Sequence, residues 1–96
     1  MIVAVLSALA EPTRLAAMHL LADGSEHCVC ELMRKLGATQ SRMSRHMQVL
    51  KQAGLVVDRR EAQWVRYRIN PELTPPLARL VEAALERQIM VTESVG

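Results

Sequence analysis

Cys28 and Cys30 are the residues of this chain best suited to chemistry, and they lie one residue apart in EHCVCELMRKLG, positions 26 to 37. A thiolate is a soft metal ligand and a nucleophile. Two of them this close can chelate a thiophilic ion or oxidise to one another. The residues around them are helical in pattern: Val29, Leu32, Met33 and Leu36 fall at i, i+3, i+4 and i+7, a buried stripe predicting a helix that ends at Gly37. An α-helix turns about 100° per residue, so side chains two apart diverge by roughly 200°. Cys28 and Cys30 are then expected on opposite sides of Val29, off the stripe, in a first turn whose unpaired N–H groups favour thiolate. That turn is also the easiest part of a helix to unwind. An ion held by both sulfurs is therefore expected to compete with the helix. His27, beside Cys28, reads as a surface residue.

The elements that must position this pair can be read from the rest of the chain. Ninety-six residues, half of them apolar, make one domain with a thin core, often helped by a second copy. With one Trp, one Tyr and no Phe, that core is aliphatic and methionine-rich. Residues 2–9 predict a short apolar helix, and Glu11-Pro12-Thr13 starts another, with Leu15, Met18, Leu21 and Ala22 as its inner face and Asp23-Gly24 as its stop. After the cysteine helix, Ala38-Thr39-Gln40-Ser41 supplies capping hydroxyls for a longer helix over roughly 40–53, packed through Met43, Met47 and Leu50 and ended by Gly54. The period then becomes alternating. Leu55–Arg60 and Trp64–Asn70 read as strands joined through Glu61-Ala62-Gln63, with Val65, Tyr67 and Ile69 on one face and Trp64, Arg66 and Arg68 on the other. Pro71 and Pro75-Pro76 precede a last helix, about 77–90, carrying Leu77, Leu80, Val81, Ala84 and Leu85. The order predicts a mainly α fold with a small β-hairpin: a winged helix-turn-helix, its two-helix unit at about 28–53 and its wing at about 55–69.

Charge points the same way. From Arg42 to Arg68, seven basic residues face only Asp58 and Glu61, a balance of +5, whereas residues 1–41 carry −1 and residues 69–96 carry −2. Such a patch on one supersecondary unit suits double-stranded DNA. The second helix of the unit can enter the major groove, offering Gln40, Ser41, Arg42, Ser44 and Arg45 to bases and phosphates, with His46 read either as a further contact or as a satisfied structural residue. Arg59, Arg60, Arg66 and Arg68 on the hairpin are placed to grip the backbone or minor groove. Trp64 reads as cover for the hairpin. A basic domain binding an acidic protein partner is the rival reading, separable by base preference and salt dependence.

SALAEPTRLAAMHLLADGSEHCVCEL followed by SRMSRHMQVLKQAGLVVDRREAQWVRYRI resembles the ArsR (ArsR/SmtB) metalloregulatory repressors over nearly the whole chain. The most specific elements are EPTRL, CVC, SRH and the DRR…WVRYR wing. The resemblance implies a homodimer that represses a resistance operon and leaves operator DNA when a toxic metal or metalloid binds. It implies As(III) or Sb(III) as inducer at Cys28 and Cys30, with no catalytic cofactor. Arsenite-sensing members carry a third cysteine three residues on, where this chain has Met33, a neutral thioether on the buried stripe. Two thiolates completed by water, hydroxide or a small thiol are expected instead. Mercury, cadmium, lead or thiol oxidation are alternative signals. The family's cadmium and lead sensors add cysteines from an N-terminal arm that these 96 residues do not contain. Its zinc sensors use His on the last helix, where PPLARLVEAALERQIM has none.

The expected dimer surface is Ile2, Val5, Leu6 and Leu9 of the first helix with Leu77, Leu80, Val81, Ala84 and Leu85 of the last. No CxxC, Ser/His/Asp grouping, glycine-rich phosphate loop or paired carboxylates mark an enzyme. MIVAVLSALA lacks a basic flank and meets Glu11-Pro12, too short to span a membrane. The protein is expected to be cytoplasmic, its thiols reduced.

Overall fold

In the computed structural model, which describes residues 2–86, α1 (Ile2–Leu9) turns Val5, Ala8 and Leu9 inward, one helical face at i, i+3 and i+4. Glu11 is the N-cap of α2 (Pro12–Leu21): its backbone is extended and its carboxylate accepts the Arg14 N–H at 2.9 Å. Proline at the first turn of α2 sacrifices no helical hydrogen bond, because its missing N–H would have had no partner there. The buried residues of α2 are Ala17, Met18 and Leu21. The expected inner face was turned by a few tens of degrees, since Ala22 is the C-cap and exposed while Leu15 is half-buried.

Next come β1 (His27–Cys28), α3 (Val29–Leu36) and α4 (Gln40–Gln52). Gly37 closes α3 at φ 67°, ψ 30°, and its N–H and that of Ala38 both donate to the Met33 carbonyl. A side chain at that φ would crowd the backbone, so glycine fits the tight α3–α4 connection. Thr39 caps α4 through its hydroxyl, which accepts the Arg42 N–H at 3.3 Å. Met43, Met47 and Leu50, spaced by four and three, have no exposed surface.

The wing is β2 (Val56–Glu61) paired antiparallel with β3 (Trp64–Ile69), in a register running from Val56↔Ile69 to Glu61↔Trp64. The two-residue connection Ala62-Gln63 places Ala62 at φ 56°, a left-handed position ordinarily taken by Gly, Asn or Asp. The sheet has three strands in the order β1-β3-β2, because His27 pairs with Tyr67 and Cys28 with Arg66. The helical pattern predicts that residues 27–28 open a helix, and they form a strand instead. Two residues are too few for alternation to show, and it is β3 that makes them a strand.

Helix α5 (Pro75–Ala84) starts two residues before the expected 77, its two prolines in the first turn after Thr74; residues 87–90 of the expected helix lie outside the described residues. Met18, Leu21, Leu32, Met43, Met47, Leu50 and Leu55 are fully enclosed, with Tyr67 the aromatic among the buried residues. Thus α4 packs against α3 and against β2 of the hairpin, presenting a helix-turn-helix beside a wing. No described helix is long and apolar enough to cross a membrane.

Candidate nucleic-acid interface and thiol pair

Cys28 and Cys30 straddle a junction rather than sharing a helical turn. Cys28 is the N-cap of α3, with extended backbone at φ −68° and ψ 143°, and only Cys30 is helical. The expected divergence of two helical side chains therefore does not arise. The Cα atoms are 5.2 Å apart, within the ordinary range for a bridge, and the two sulfurs form a disulfide across Val29. This corrects the expected placement of both thiols in the first turn of the helix, and Val29–Leu36 is helical with the two sulfurs together. Cys28 is also buried, packed into the core cluster, and only Cys30 is exposed. The pair does compete for the helix cap: Cys28 Sγ accepts the Cys30 N–H at 3.3 Å, where a Ser or Asp oxygen ordinarily sits.

His27 is held away from that pair. Its Nε2 lies 3.1 Å from Asp23 Oδ1 and its Nδ1 3.2 Å from Glu31 Oε2, bracing the turn before β1 against the first turn of α3. Burial works against charge on this imidazole, but hydrogen bonds to Asp23 and Glu31 outweigh it and raise its pKa above 6.5. The backbone N–H of Ser25, then His27 and the Ser25 hydroxyl, hold the Asp23 carboxyl down at about 2. Among the described residues, no three His, Cys, Asp or Glu side chains gather closely enough to hold a metal ion. Met33 is half-buried against the core, as its place on the stripe requires.

Helix α4 exposes Gln40, Ser41, Arg42 and Arg45 along its first turns, with Ser44 half-buried beside them. Neither Arg42 nor Arg45 has a carboxylate within salt-bridge reach among the described residues. His46 is the exception to the expected reading face. Its ring turns inward, with Nδ1 accepting from Arg14 Nη1 at 3.2 Å and lying 3.8 Å from Glu11 Oε1. It is a strut between helices, placed there because i+3 from Met43 falls at the edge of the buried face.

On the wing, the register brings Arg59 opposite Arg66, and a carboxylate meets each. Arg59 donates Nε and Nη2 to the two oxygens of Glu26, at 2.9 and 2.6 Å. Arg66 Nε donates to Glu61 at 2.5 Å. The carboxylate of Glu26, hydrogen-bonded by Arg59, is held below its ordinary pKa. Arg60 and Arg68 are exposed with no such partner among the described residues. Trp64 sits at the hairpin tip, 38% exposed.

The exposed first turns of α4, with Arg42 and Arg45, and a basic ribbon thus belong to one unit, and the comparison with known proteins agrees with that geometry. The sequence model described as "Bacterial regulatory protein, arsR family" matches residues 4–57, more than half of the chain. The chain belongs to the arsR family. It is 42% identical over 82 residues to the arsenic resistance transcriptional regulator ArsR2 of Pseudomonas putida, covering 85% of this chain and 71% of that protein. It is 38% identical over 76 residues to the arsenical resistance operon repressor of Escherichia coli, covering 79% of this chain and 65% of that protein. Among solved structures, the homodimeric winged helix-turn-helix DNA-binding domain of a Mycobacterium bovis protein matches with a TM-score of 0.75 at 33% identity, covering 98% of this chain and 81% of that one.

Within this arsR-family chain, sequence reasoning passed over Arg14. Its Nε donates to the Ala8 carbonyl at 2.7 Å, its Nη2 to the Ser7 carbonyl at 3.4 Å, and its Nη1 to His46. One guanidinium thereby closes the C-terminal end of α1, from its place on α2, and holds α4. The signal was available: an arginine one turn into a helix that follows an apolar helix, within the EPTRL element. The expected dimer surface needs a correction too. Val5, Leu9 and Val81 are buried in the chain's own core, while Leu77, Leu80, Ala84 and Leu85 are half-buried against it. Ile2, Val3 and Leu6 remain exposed, at 51%, 74% and 49%. A helix with only eight residues spends one face on its own core and has the other left over.

Proposed function

We propose that this arsR-family chain is a transcriptional repressor that binds operator DNA as a homodimer and is released when As(III) or Sb(III) is chelated by Cys28 and Cys30. The carrying observation is that the N-cap position of Cys28 brings its sulfur to that of Cys30 without disturbing α3. In the reduced form, each thiol displaces one hydroxyl of arsenous acid as water, giving two S–As bonds with one hydroxide left on arsenic. Arsenic stays As(III) and no electrons move. Gln40, Ser41, Arg42, Ser44 and Arg45 read the major groove in this proposal, and Arg60 and Arg68 carry most of the wing's contact with phosphate. Arg59 and Arg66 contribute less, since carboxylates already neutralise them. The exposed face of Ile2, Val3 and Leu6, with the half-buried leucines of α5, joins the two copies. The similarity to two arsenic-resistance regulators supports the metalloid reading. Action in the cytoplasm follows from contact with operator DNA.

The disulfide favours a second reading, in which a peroxide oxidises the pair, two thiols and one peroxide giving one disulfide and two waters. Operator binding by wild type, Cys28→Ser and Cys30→Ser, each with arsenite or peroxide, separates the two. Both variants are expected to bind operator and to ignore arsenite. Normal release of either variant by arsenite refutes the site. Release of wild type by peroxide alone selects the redox reading, and binding without base preference refutes the repressor reading.

A further inference from the structure

Resting on the reading of Cys28 and Cys30 as the effector site, we propose that their occupancy reaches DNA through the wing, by way of β1 and a Glu26–Arg59 clamp, rather than by unwinding α3.

Three observations converge on the short segment from Glu26 to Cys28. Cys28 is at once a ligand, the cap of α3 and the last rung of β1, where it pairs with Arg66 of β3. One residue earlier, His27 pairs with Tyr67, which is 3% exposed and anchors the central strand in the core. One residue earlier again, Glu26 takes both donors of Arg59 on β2 in a two-bond fork. Consecutive residues of a single segment therefore hold both strands of the wing.

The effect of an ion follows from chain geometry. Held by both thiolates of the reduced pair, it fixes the distance and angle between two sulfurs that are otherwise free to turn. Cys30 lies within a helix held by i→i−4 hydrogen bonds, whereas Cys28 belongs to a strand of two residues. The weaker partner moves. A displaced Cys28 gives up its cap on the Cys30 N–H and strains the Cys28↔Arg66 rung. The same shift draws Glu26 along the sheet from Arg59. The fork is exposed and so adds little to global stability, but its two fixed bonds set the position of the hairpin. Arg59, Arg66 and Arg68 lie on one face of the wing, by the register Arg59↔Arg66 and Val57↔Arg68, so tilting the hairpin moves this basic face as a body. Glu26 is a positioning residue in this scheme: it touches neither ion nor DNA.

The wing carries its own reporter, for Trp64 is the chain's one tryptophan and sits at the hairpin tip. Arsenite is titrated into the reduced, DNA-free protein while As–S absorbance and Trp64 emission are followed together, and operator release is then measured. Wild type is expected to show both signals. Glu26→Gln and Arg59→Lys are expected to bind arsenite with unchanged As–S absorbance, yet to lose most of the Trp64 response. Their arsenite-driven loss of operator affinity should be about 3- to 30-fold smaller than in wild type. Glu26→Asp, which keeps the charge, should recover part of it. Arg59→Lys retains a cation for phosphate, so a change only in arsenite-free operator affinity, with full release preserved, refutes the clamp and makes Arg59 a plain DNA contact. Full release by Glu26→Gln, or As–S absorbance with silent Trp64 in wild type, refutes the route while leaving the effector site standing. Absence of As–S absorbance in wild type refutes both.

Discussion

Replacing Arg14 by methionine tests whether one guanidinium holds α4 in place. Methionine keeps most of the unbranched stem and its packing, so the loss is confined to the polar contacts. The bond to the Ala8 carbonyl is short, charged and half-buried, worth about 1.5–2 kcal/mol. The bond to His46 adds about 1 kcal/mol, and the 3.4 Å contact with Ser7 adds little. Part of this returns because water reaches the freed carbonyls, leaving a net cost of about 2 kcal/mol. For a chain of this size that lowers Tm by roughly 8–16 °C. Urea unfolding followed by circular dichroism measures it, at fixed protein concentration because association shifts apparent stability. Arg14→Met and His46→Leu should be non-additive, with a coupling of about 0.5–1 kcal/mol. Operator affinity should fall with them, because α4 is no longer fixed against α1 and α2. An Arg14→Met protein within about 0.5 kcal/mol of wild type, or strict additivity with His46→Leu, refutes this account.

Three further outcomes are expected. Ala62→Gly should raise stability by about 0.5–1 kcal/mol in the same urea assay, because glycine accepts the φ of 56° without crowding. The raised pKa of His27 contributes stability that is complete below 6.5 and fades as pH rises through its higher folded value, so stability measured across that window should decline with pH. His27→Gln should flatten that decline. Arg42→Ala should weaken operator binding and reduce its salt dependence by about one counterion if Arg42 meets phosphate, or relax preference at one base pair if it meets a base edge.

Much of this molecule is legible in its amino acids because periodicity survives translation into packing. Met43, Met47 and Leu50 declare the inner face of α4, and Gly37 and Gly54 its borders. The switch to alternation at Leu55 marks the wing, since β3 faces one way with Val65 and Tyr67 and the other with Arg66 and Arg68. The position of the basic unit follows from counting charges. Its arsR-family character was readable from EPTRL, CVC and the wing together.

What the amino acids alone determined is which residues are chemically able to act: two thiols, a basic face and an apolar stripe. Tertiary structure decided how they are arranged, since each deciding contact joins positions far apart in the chain. Cys28 is a strand residue only because Arg66 and Tyr67, nearly forty positions on, offer it an edge. His46 turns inward only because Arg14 waits 32 residues away, and Glu26 meets Arg59 across 33. Local periodicity carries no information about such partners. It was the sheet, rather than the helical pattern, that brought the two sulfurs together.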